Sequence, residues 1–461
     1  MSTLKVNKIR DTSGSTDAIT FDPNGGAVLA GVTTVSTVKV GSGVTISSDG
    51  DVFTTGITTS STVIVGSGVT ISESGIEASG IGITCANING AQIGGRRNLV
   101  INGSMQVAQR GSSSTSNGFQ TVDRYNMNVS GTDEAPTIAH VDVSSSDSGD
   151  NPFTKGLTKA IRVTNGNQTG GADHTDYLYI SYKFEARDLA QSGWNYTSTS
   201  SFVTLSFWVK SSVAQTFYGY LRTSDGTAQN FRFETGSLSA NTWKKVVVKV
   251  PGAANITFDD NFNEGLEFVI APFFGTVYTA QSGDTPLESW AAFASGTRSR
   301  DNTTTWYTTN DATFEITGVQ LEVGSQATPF EWRSFHDERQ LCYRYYFRHQ
   351  PNNGAYFGQG FVYNAAANGG ANAQINGLIH MPVRLRSKPS SVETSGTASH
   401  YRVIANATTL ICTSVPSHGG DLDDLVIGVN FHTAASNNSN GDGRLFRSAS
   451  SSAFLGFDAE L

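Results

Sequence analysis

Two copies of one strand-like pattern lie near the start of the chain. Residues 31–55 read GVTTVSTVKVGSGVTISSDGDVFTT and residues 56–80 read GITTSSTVIVGSGVTISESGIEASG, so they align without gaps at a period of 25 residues. Each copy has a β-branched run, a Gly-Ser-Gly turn and a second run, VTIS, in which apolar and polar positions alternate. This period of two predicts short strands with one apolar face.

Two copies are too few for a self-supporting solenoid, so another surface has to cover that apolar face. Identical strands from neighbouring chains would cover it most economically. We therefore expect residues 31–95 to form an intertwined homotrimeric β shaft with the apolar edge on the three-fold axis. Residues 1–30 are a polar segment with one possible strand, LKVNKI, and are predicted to be an arm or docking peptide.

Beyond residue 95 the composition changes, and every Trp lies in this later part. Residues 96–333 carry many short alternating runs between turn clusters, for example residues 202–209, FVTLSFWV. Because helical periodicity is almost missing, this part is predicted to be an antiparallel jelly-roll β-sandwich. Residues 334–461 are predicted to form one short linking helix over residues 334–348, with Ser334 as its N-cap, followed by a smaller β-sandwich tip. The Tyr/Phe-rich end of the helix is expected to run toward a strand. The fold class is therefore all-β.

Composition and charge exclude several kinds of partner. Charged residues make up 15% of the chain, and 31 Lys+Arg against 39 Asp+Glu give a net charge of −8. An acidic chain without a Lys/Arg block is a poor partner for nucleic acid. No apolar run approaches the roughly 20 residues of a membrane-spanning helix, so no membrane insertion is expected. The 38% hydrophobic residues are enough to build a core.

The cysteines and the start of the chain indicate where the protein is made. Cys85, Cys342 and Cys412 are scattered, which argues against a disulfide framework and a zinc ribbon. The segment after Met1 has no long apolar stretch of the secretory type. These features predict three free thiols and assembly in a reducing cytoplasm.

Motif searches give no catalytic assignment, and we predict no enzyme activity, cofactor or metal. The sequence has no G-x-S-x-G, H-E-x-x-H or Walker motif. His336, Asp337 and Glu338 are adjacent, so on a helix they point in different directions and are best explained as a solvated first turn. Residues 258–265, FDDNFNEG, favour an acidic turn, with a bound Ca²⁺ as the alternative.

Aromatic side chains in polar loops are the candidates for sugar binding, because an exposed ring can stack on the apolar face of a pyranose. The polar surroundings of these residues predict exposure, with burial at a domain or subunit contact as the alternative. The candidate carbohydrate-binding residues are Trp194, Tyr196, Trp290, Trp306, Tyr307 and Tyr356.

Eight stretches in their order along the chain resemble bacteriophage tail fibres, especially those of marine and cyanobacterial phages. The first is similar to a virion-proximal start, the next two to the beginning of a receptor-binding region, and the next two to the closing strands of a carbohydrate-binding-module-like sandwich. The last three are similar to a small tip domain. The stretches are STLKVNKI (2–9), RNLVINGSMQVAQRG (97–111), DRY (123–125), ITGVQLEVG (316–324), ATPFE (327–331), LCYRYY (341–346), MPVRLRSKP (381–389) and DAEL (458–461).

The resemblance implies a trimeric adhesin of the virion tail, a receptor-binding protein that is built in the bacterial cytoplasm and released by lysis. It implies that Leu4, Val6 and Ile9 belong to the arm that docks on a phage tail or adaptor protein. The expected ligand is a host surface glycan such as lipopolysaccharide, bound weakly by each site and firmly by several sites together. Two alternatives stay open: a surface-polysaccharide depolymerase of the tailspike kind, and a head or neck decoration fibre.

Overall fold

The computed structural model describes most of the chain after residue 95 and the separate strands before it. Of residues 96–461, it describes all but 148, 280–285, 368–371, 406–407, 422 and 435–437; before them it describes Asn7 and eleven short strands. The chain divides into two compact units, Met1–Cys85 and Ala86–Leu461. The predicted limits at residues 30, 95 and 333 stay predictions. All-β is confirmed as the fold class, with 44% strand and 8% helix.

In the described residues of the first unit, the strands form three antiparallel sheets of three strands each. Each 25-residue repeat folds as one of these sheets, and its two β-branched runs pair with each other, Val40 opposite Val44 and Val65 opposite Val69. The intertwining of three chains stays a prediction. The strands are β1 (Lys8–Arg10), β2 (Asp17–Phe21), β3 (Ala27–Leu29), β4 (Thr37–Val40), β5 (Val44–Ser47), β6 (Val52–Thr54), β7 (Thr62–Val65), β8 (Val69–Ser72) and β9 (Gly75–Ala78).

In the second unit, a short hairpin precedes a sandwich of two six-stranded antiparallel sheets. The first sheet has the order β12-β14-β15-β23-β17-β20 and the second β13-β16-β21-β18-β19-β22. The strands are β10 (Asn87–Ile88), β11 (Ala91–Gln92), β12 (Ser113–Ser114), β13 (Tyr125–Ser130), β14 (Thr137–Asp142), β15 (Lys159–Thr164), β16 (Tyr177–Glu185), β17 (Phe202–Ser211), β18 (Thr216–Thr223), β19 (Gln229–Ser237), β20 (Lys244–Pro251), β21 (Glu264–Phe274), β22 (Trp290–Ala292) and β23 (Thr313–Val323).

The alternation of β17 shows how the sandwich forms. Val203, Leu205 and Phe207 lie in the core between the sheets, whereas Ser206 and Trp208 lie on the outer face of the first sheet. Short helices occupy the connections: α1 (Ala186–Ala190), α2 (Thr305–Thr308) and the 3₁₀ turns Pro152–Lys155 and Ser295–Thr297.

The linking helix, α3 (Phe335–Tyr343), begins at the predicted N-cap, where the backbone N–H of Asp337 donates to the Ser334 hydroxyl at 3.1 Å. It ends earlier than the predicted residue 348, because Tyr346–His349 pairs as a strand with Leu455–Asp458. Sheet pairing thus overrides the helical signal of the last few residues. Among the described residues, no helix has the length and apolar character that a membrane crossing requires.

The tip consists of a seven-stranded and a three-stranded antiparallel sheet around one core. The seven-stranded sheet has the order β29-β28-β32-β25-β26-β31-β30, and the other β24-β33-β27. The elements are β24 (Tyr346–His349), β25 (Tyr356–Ala367), β26 (Asn372–His380), β27 (Glu393–Thr394), the 3₁₀ turn Ala398–His400, β28 (Tyr401–Ala405), β29 (Thr408–Ile411), β30 (Ser417–Asp421), β31 (Val426–Ala434), β32 (Gly443–Ser448) and β33 (Leu455–Asp458).

A buried group of charges joins the sandwich to the tip. Glu460 follows the last strand and forms ion pairs with Arg124 and, at 3.5 Å, with Arg110, all three side chains being at least nine-tenths buried. The Arg124 guanidinium also lies 3.4 Å from the centre of the Tyr345 ring. Burial raises the pKa of the neighbouring Asp123 carboxyl to about 6, although hydrogen bonds from Gln109 act in the opposite direction. This junction fixes the two parts of the unit to each other.

Candidate functional site

A cleft of about 570 Å³ lies on the outer face of the first sheet of the sandwich. Its volume is within the range of ordinary ligand pockets, roughly 300–1,000 Å³. The floor comes from β17, β20 and β23, and the walls come from the segment around Pro152–Lys155 and from residues 327–332. The lining residues are Asp150, Lys155, Leu157, Ser206, Trp208, Lys245, Gly318, Ala327, Thr328, Pro329, Phe330 and Trp332.

Trp208 forms the apolar floor of this cleft. It packs with Leu157 and Trp243 in a small cluster that is separate from the core between the sheets. The indole N–H of Trp243 donates to Asp147 at 2.6 Å, and Lys210 donates to the same carboxylate at 3.0 Å. The Asp147 carbonyl in turn accepts from the Asn151 side chain at 2.7 Å, so these bonds connect the wall segment to the sheet.

Trp332 forms the accessible wall, with 49% of its surface exposed. Its neighbours Glu331 and Arg333 both bind residues 97–100: Glu331 accepts from the Asn98 N–H at 2.8 Å, and Arg333 donates to the Val100 carbonyl at 3.0 Å. Because both neighbours bind that segment, the ring between them extends into the cleft. It makes an edge contact with Phe330, the ring centres being 5.0 Å apart.

The rim of the cleft supplies polar groups around these rings. Lys155 and Asp150 form an exposed ion pair at 2.8 Å, and Lys245 is exposed on the floor strand β20. Thr328 and Ser206 bring hydroxyl groups to the lining. The arrangement can hold the apolar face of a sugar on an indole ring while charged and hydroxyl groups bind its hydroxyls. Of the described lining residues, Asp150 alone is a carboxylate, whereas glycoside hydrolysis ordinarily uses a pair.

Gly318 makes the floor possible. It lies at a bulge of β23 with a φ of +63°, and a Cβ there would stand 2.6 Å from Leu157 Cδ1 and 3.1 Å from Trp208 Cδ1. Only glycine takes up this backbone conformation without strain and leaves room for both side chains.

We expect Gly318→Ala to lower the free energy of unfolding by about 2–3 kcal/mol, because backbone strain and overpacking add together. Denaturant unfolding of the full chain measures this. The matched control is Gly193→Ala, which has a similar φ of +87° but open space around the added Cβ, and should lose only about 1 kcal/mol. If both variants lose the same free energy of unfolding, the overlap of the added Cβ with Leu157 and Trp208 is relieved without cost.

Three of the predicted sugar-binding residues are buried, so the expectation that they are exposed is wrong. Trp194 is 3% exposed, and Trp306 and Tyr307 are fully buried. Trp306 donates its indole N–H to the Thr313 carbonyl at 3.0 Å, and Tyr307 stacks on Phe273 with ring centres 4.3 Å apart. Burial raises the pKa of the Tyr307 phenol. A ring enclosed in this way has no face to offer a sugar.

The other predicted residues are dispersed over the molecule. Tyr196 and Trp290 are half-buried against the sandwich core, and Trp290 donates to the Pro251 carbonyl at 2.7 Å. Tyr356 is 51% exposed on the tip sheet. The structure brings only Trp194 and Tyr196 together, in one aromatic group with Phe258.

Among the docking residues, Ile9 is exposed in β1, whereas Leu4 and Val6 lie outside the described residues.

Sequence reasoning missed Trp332. Its position between two charged residues, Glu331 and Arg333, was the available signal that it is exposed.

Comparison with known proteins gives no family assignment. No family model matches the chain, and no curated protein matches it either. Among solved structures, the enzymatically active domain of bacteriophage CBA120 tailspike protein 4 overlaps at 10% identity and a TM-score of 0.24, covering 49% of this chain and 21% of that one. The chain therefore spans about a fifth of the length of that tailspike domain.

Two carbohydrate-binding domains overlap to a similar degree. The cellulose-binding domain of Cellulomonas fimi β-1,4-glucanase C has 10% identity and a TM-score of 0.23, with 48% of this chain and 99% of that one covered. The family 11 carbohydrate-binding module of Clostridium thermocellum, in complex with a mixed-linked tetrasaccharide, has 10% identity and a TM-score of 0.20, with 46% and 95% covered. TM-scores this low support no conclusion about this chain.

Proposed function

We propose that the protein is the tail fibre of a bacteriophage, which attaches the virion to host surface glycans through the cleft of the sandwich. The observation that carries the proposal is the half-exposed Trp332 ring in an open cleft floored by Trp208. The tail-fibre resemblance of the sequence adds the biological setting, a virion tail assembled in the host cytoplasm. Attachment would come from many weak contacts acting together.

A glycan array with the full chain tests this function directly. We expect binding to host-type surface saccharides, with competition by the same saccharide in solution. An array without a specific signal would contradict the proposal. The depolymerase alternative predicts new reducing ends when the chain is incubated with host lipopolysaccharide or capsule, and we expect none. Labelling of the capsid or collar instead of the tail would favour the decoration-fibre alternative.

The proposed fibre is a homotrimer, and the outer face of the tip sheet supports this. Phe361, Tyr363, Leu378 and Leu445, here called the tip patch, are each between 41% and 68% exposed. Strand pairing places Phe361 opposite Asn376 and Leu445 opposite Gln359, on the face opposite the tip core. These side chains expose on the order of 400 Å² of apolar surface, about half of the ~800 Å² that a partner buries in a standard interface. Three parallel copies, as the repeats predict, would bring three such patches together.

We expect Phe361→Ser to shift the purified protein from trimer to monomer, because it removes a large apolar side chain from the centre of the tip patch. Multi-angle light scattering across a concentration series measures the mass. Val247→Ser is the matched control, since Val247 is 51% exposed on a strand of the sandwich and lies outside the patch. If the wild type is a monomer, the trimer proposal is wrong; if Phe361→Ser stays a trimer, another surface holds the copies together.

A further inference from the structure

A second group of side chains with ligand-binding chemistry crosses four strands of the tip sheet. Strand pairing places Tyr356 opposite Arg447, Arg447 opposite Arg402, and Arg402 opposite Ile411. Residues opposite each other on antiparallel strands share one face, and their Cβ atoms are about 5 Å apart. We call these four residues the arginine row. Tyr356 and Ile411 are about half exposed, so the row is open to solvent.

The two arginines face each other without a counter-charge. Neither forms an ion pair with a carboxylate in the described part of the chain, whereas two other arginines of the tip do: Arg384 pairs with Asp424, and Arg444 pairs with Asp442 at 2.6 Å. Arg402 Nε is enclosed and has no hydrogen-bond partner. Like charges directly opposite each other on a sheet are destabilising, and an anion between the two guanidinium groups would remove this repulsion.

The position of Arg447 is fixed in advance. Its Nε donates to the Gly354 carbonyl at 2.8 Å, which leaves the terminal amino groups for a ligand. Gly354 has a φ of +86°, and a Cβ at this position would lie 3.2 Å from Arg447 Nη2. Glycine at this turn therefore lets the guanidinium lie against the backbone. A side chain held in this way loses little freedom when it binds.

We infer that the arginine row is a saccharide subsite for an acidic sugar, distinct from the cleft of the sandwich. The two guanidinium groups bind the carboxylate of a uronic acid or the phosphate of a phosphorylated sugar, because the planar guanidinium matches both anions. Tyr356, directly beside Arg447, packs against the apolar face of the same sugar. The choice of a surface glycan as the ligand class rests on the proposed function. The location of the subsite on the tip sheet does not.

The tip patch lies on the same face of this sheet as the arginine row, and its member Leu445 precedes Arg447 by two residues on β32. Phe361 follows Tyr356 by five residues on β25, a distance of about 16 Å along an extended strand. Arg402 on β28 and Phe361 on β25 are two strands apart in the sheet, so these two positions can be substituted one at a time.

Saturation-transfer NMR with the full chain tests the subsite with three probes: methyl glucuronide, glucose 6-phosphate and methyl glucoside. We expect the two charged probes to bind about tenfold more tightly than methyl glucoside. Their relative affinity shows whether a carboxylate or a phosphate is preferred. Arg402→Gln should remove this advantage and leave methyl glucoside binding unchanged. Arg384→Gln, an exposed arginine of the same domain with its own carboxylate partners, is the matched control and should change nothing.

Several results would overturn the inference. The first is equal affinity for all three probes, and the second is an unchanged affinity for the charged probes in Arg402→Gln. The third is inorganic phosphate binding as tightly as glucose 6-phosphate, because the sugar ring would then contribute nothing to binding. If Arg402→Gln lowers the mass of the assembly, the arginines belong to a contact between copies. Trp332→Ala distinguishes the two sites. If the charged probes still bind to this variant, the arginine row is a binding site even if the cleft of the sandwich binds no glycan.

Discussion

Replacing Trp332 by alanine is expected to remove most of the glycan affinity of the protein. The ring is the accessible wall of the cleft, and the remaining floor, Trp208, is 5% exposed and offers little surface of its own. Truncation of a central aromatic side chain in a binding site commonly costs about 2 kcal/mol or more, roughly a thirtyfold loss in affinity. Titration calorimetry with a saccharide identified on the array measures this loss.

Phe335→Ala is the matched control for that variant. Phe335 lies three residues further along, is 53% exposed and does not line the cleft. Its replacement should leave affinity unchanged. Because Trp332 is half exposed, the variant should stay folded, and an unchanged unfolding midpoint would confirm it. Full affinity in the Trp332 variant would mean that glycans bind elsewhere.

Replacing Glu460 by glutamine is expected to cause the largest loss of stability. The carboxylate is 3% exposed and is the counter-charge of Arg124, which is 1% exposed. Glutamine has almost the same shape but no charge, so the Arg124 cation stays buried without compensation. Removing one partner of such a pair typically lowers the free energy of unfolding by about 3–5 kcal/mol. Denaturant unfolding of the full chain measures the change.

Asp458→Asn is the control for this experiment. Asp458 pairs with Arg110 at 3.0 Å but is 39% exposed, so its replacement should cost less than about 1 kcal/mol. A second variant, Arg124→Met with Glu460→Leu, removes both charges and should recover much of the stability lost by Glu460→Gln. If Glu460→Gln costs no more than Asp458→Asn, the buried pair does not stabilise the junction.

The local structure was largely readable from the sequence. Period-two alternation identified the strands, as in β17, and the repeats fold as equivalent sheets with the same pairing of their runs. The start of α3 followed from Ser334, since capping depends on residues close in sequence. The end of α3 was not readable, because Tyr346–His349 pairs with a strand more than a hundred residues later.

The exposure of individual aromatic rings could not be read from local composition. Trp306 and Tyr307 lie in a Thr- and Asn-rich segment, but this segment forms α2 and packs inward, and the buried Asn165 amide donates to the Tyr307 carbonyl at 2.5 Å. Trp332 stands between two charged residues, Glu331 and Arg333, which bind residues 97–100 and leave its ring exposed. A polar loop sequence therefore does not establish that its rings face solvent.

The sequence by itself determined the all-β class, the strand periodicity, the 25-residue repeat and the N-cap of the linking helix, because these depend on residues close to each other along the chain. Only the tertiary structure decided where the cleft lies and which charges meet. Trp208 and Trp332 form one cleft because a bulge at Gly318 and a wall segment come together on one sheet face. Arg402 and Arg447 face each other because strand register, a long-range property, puts them in one row.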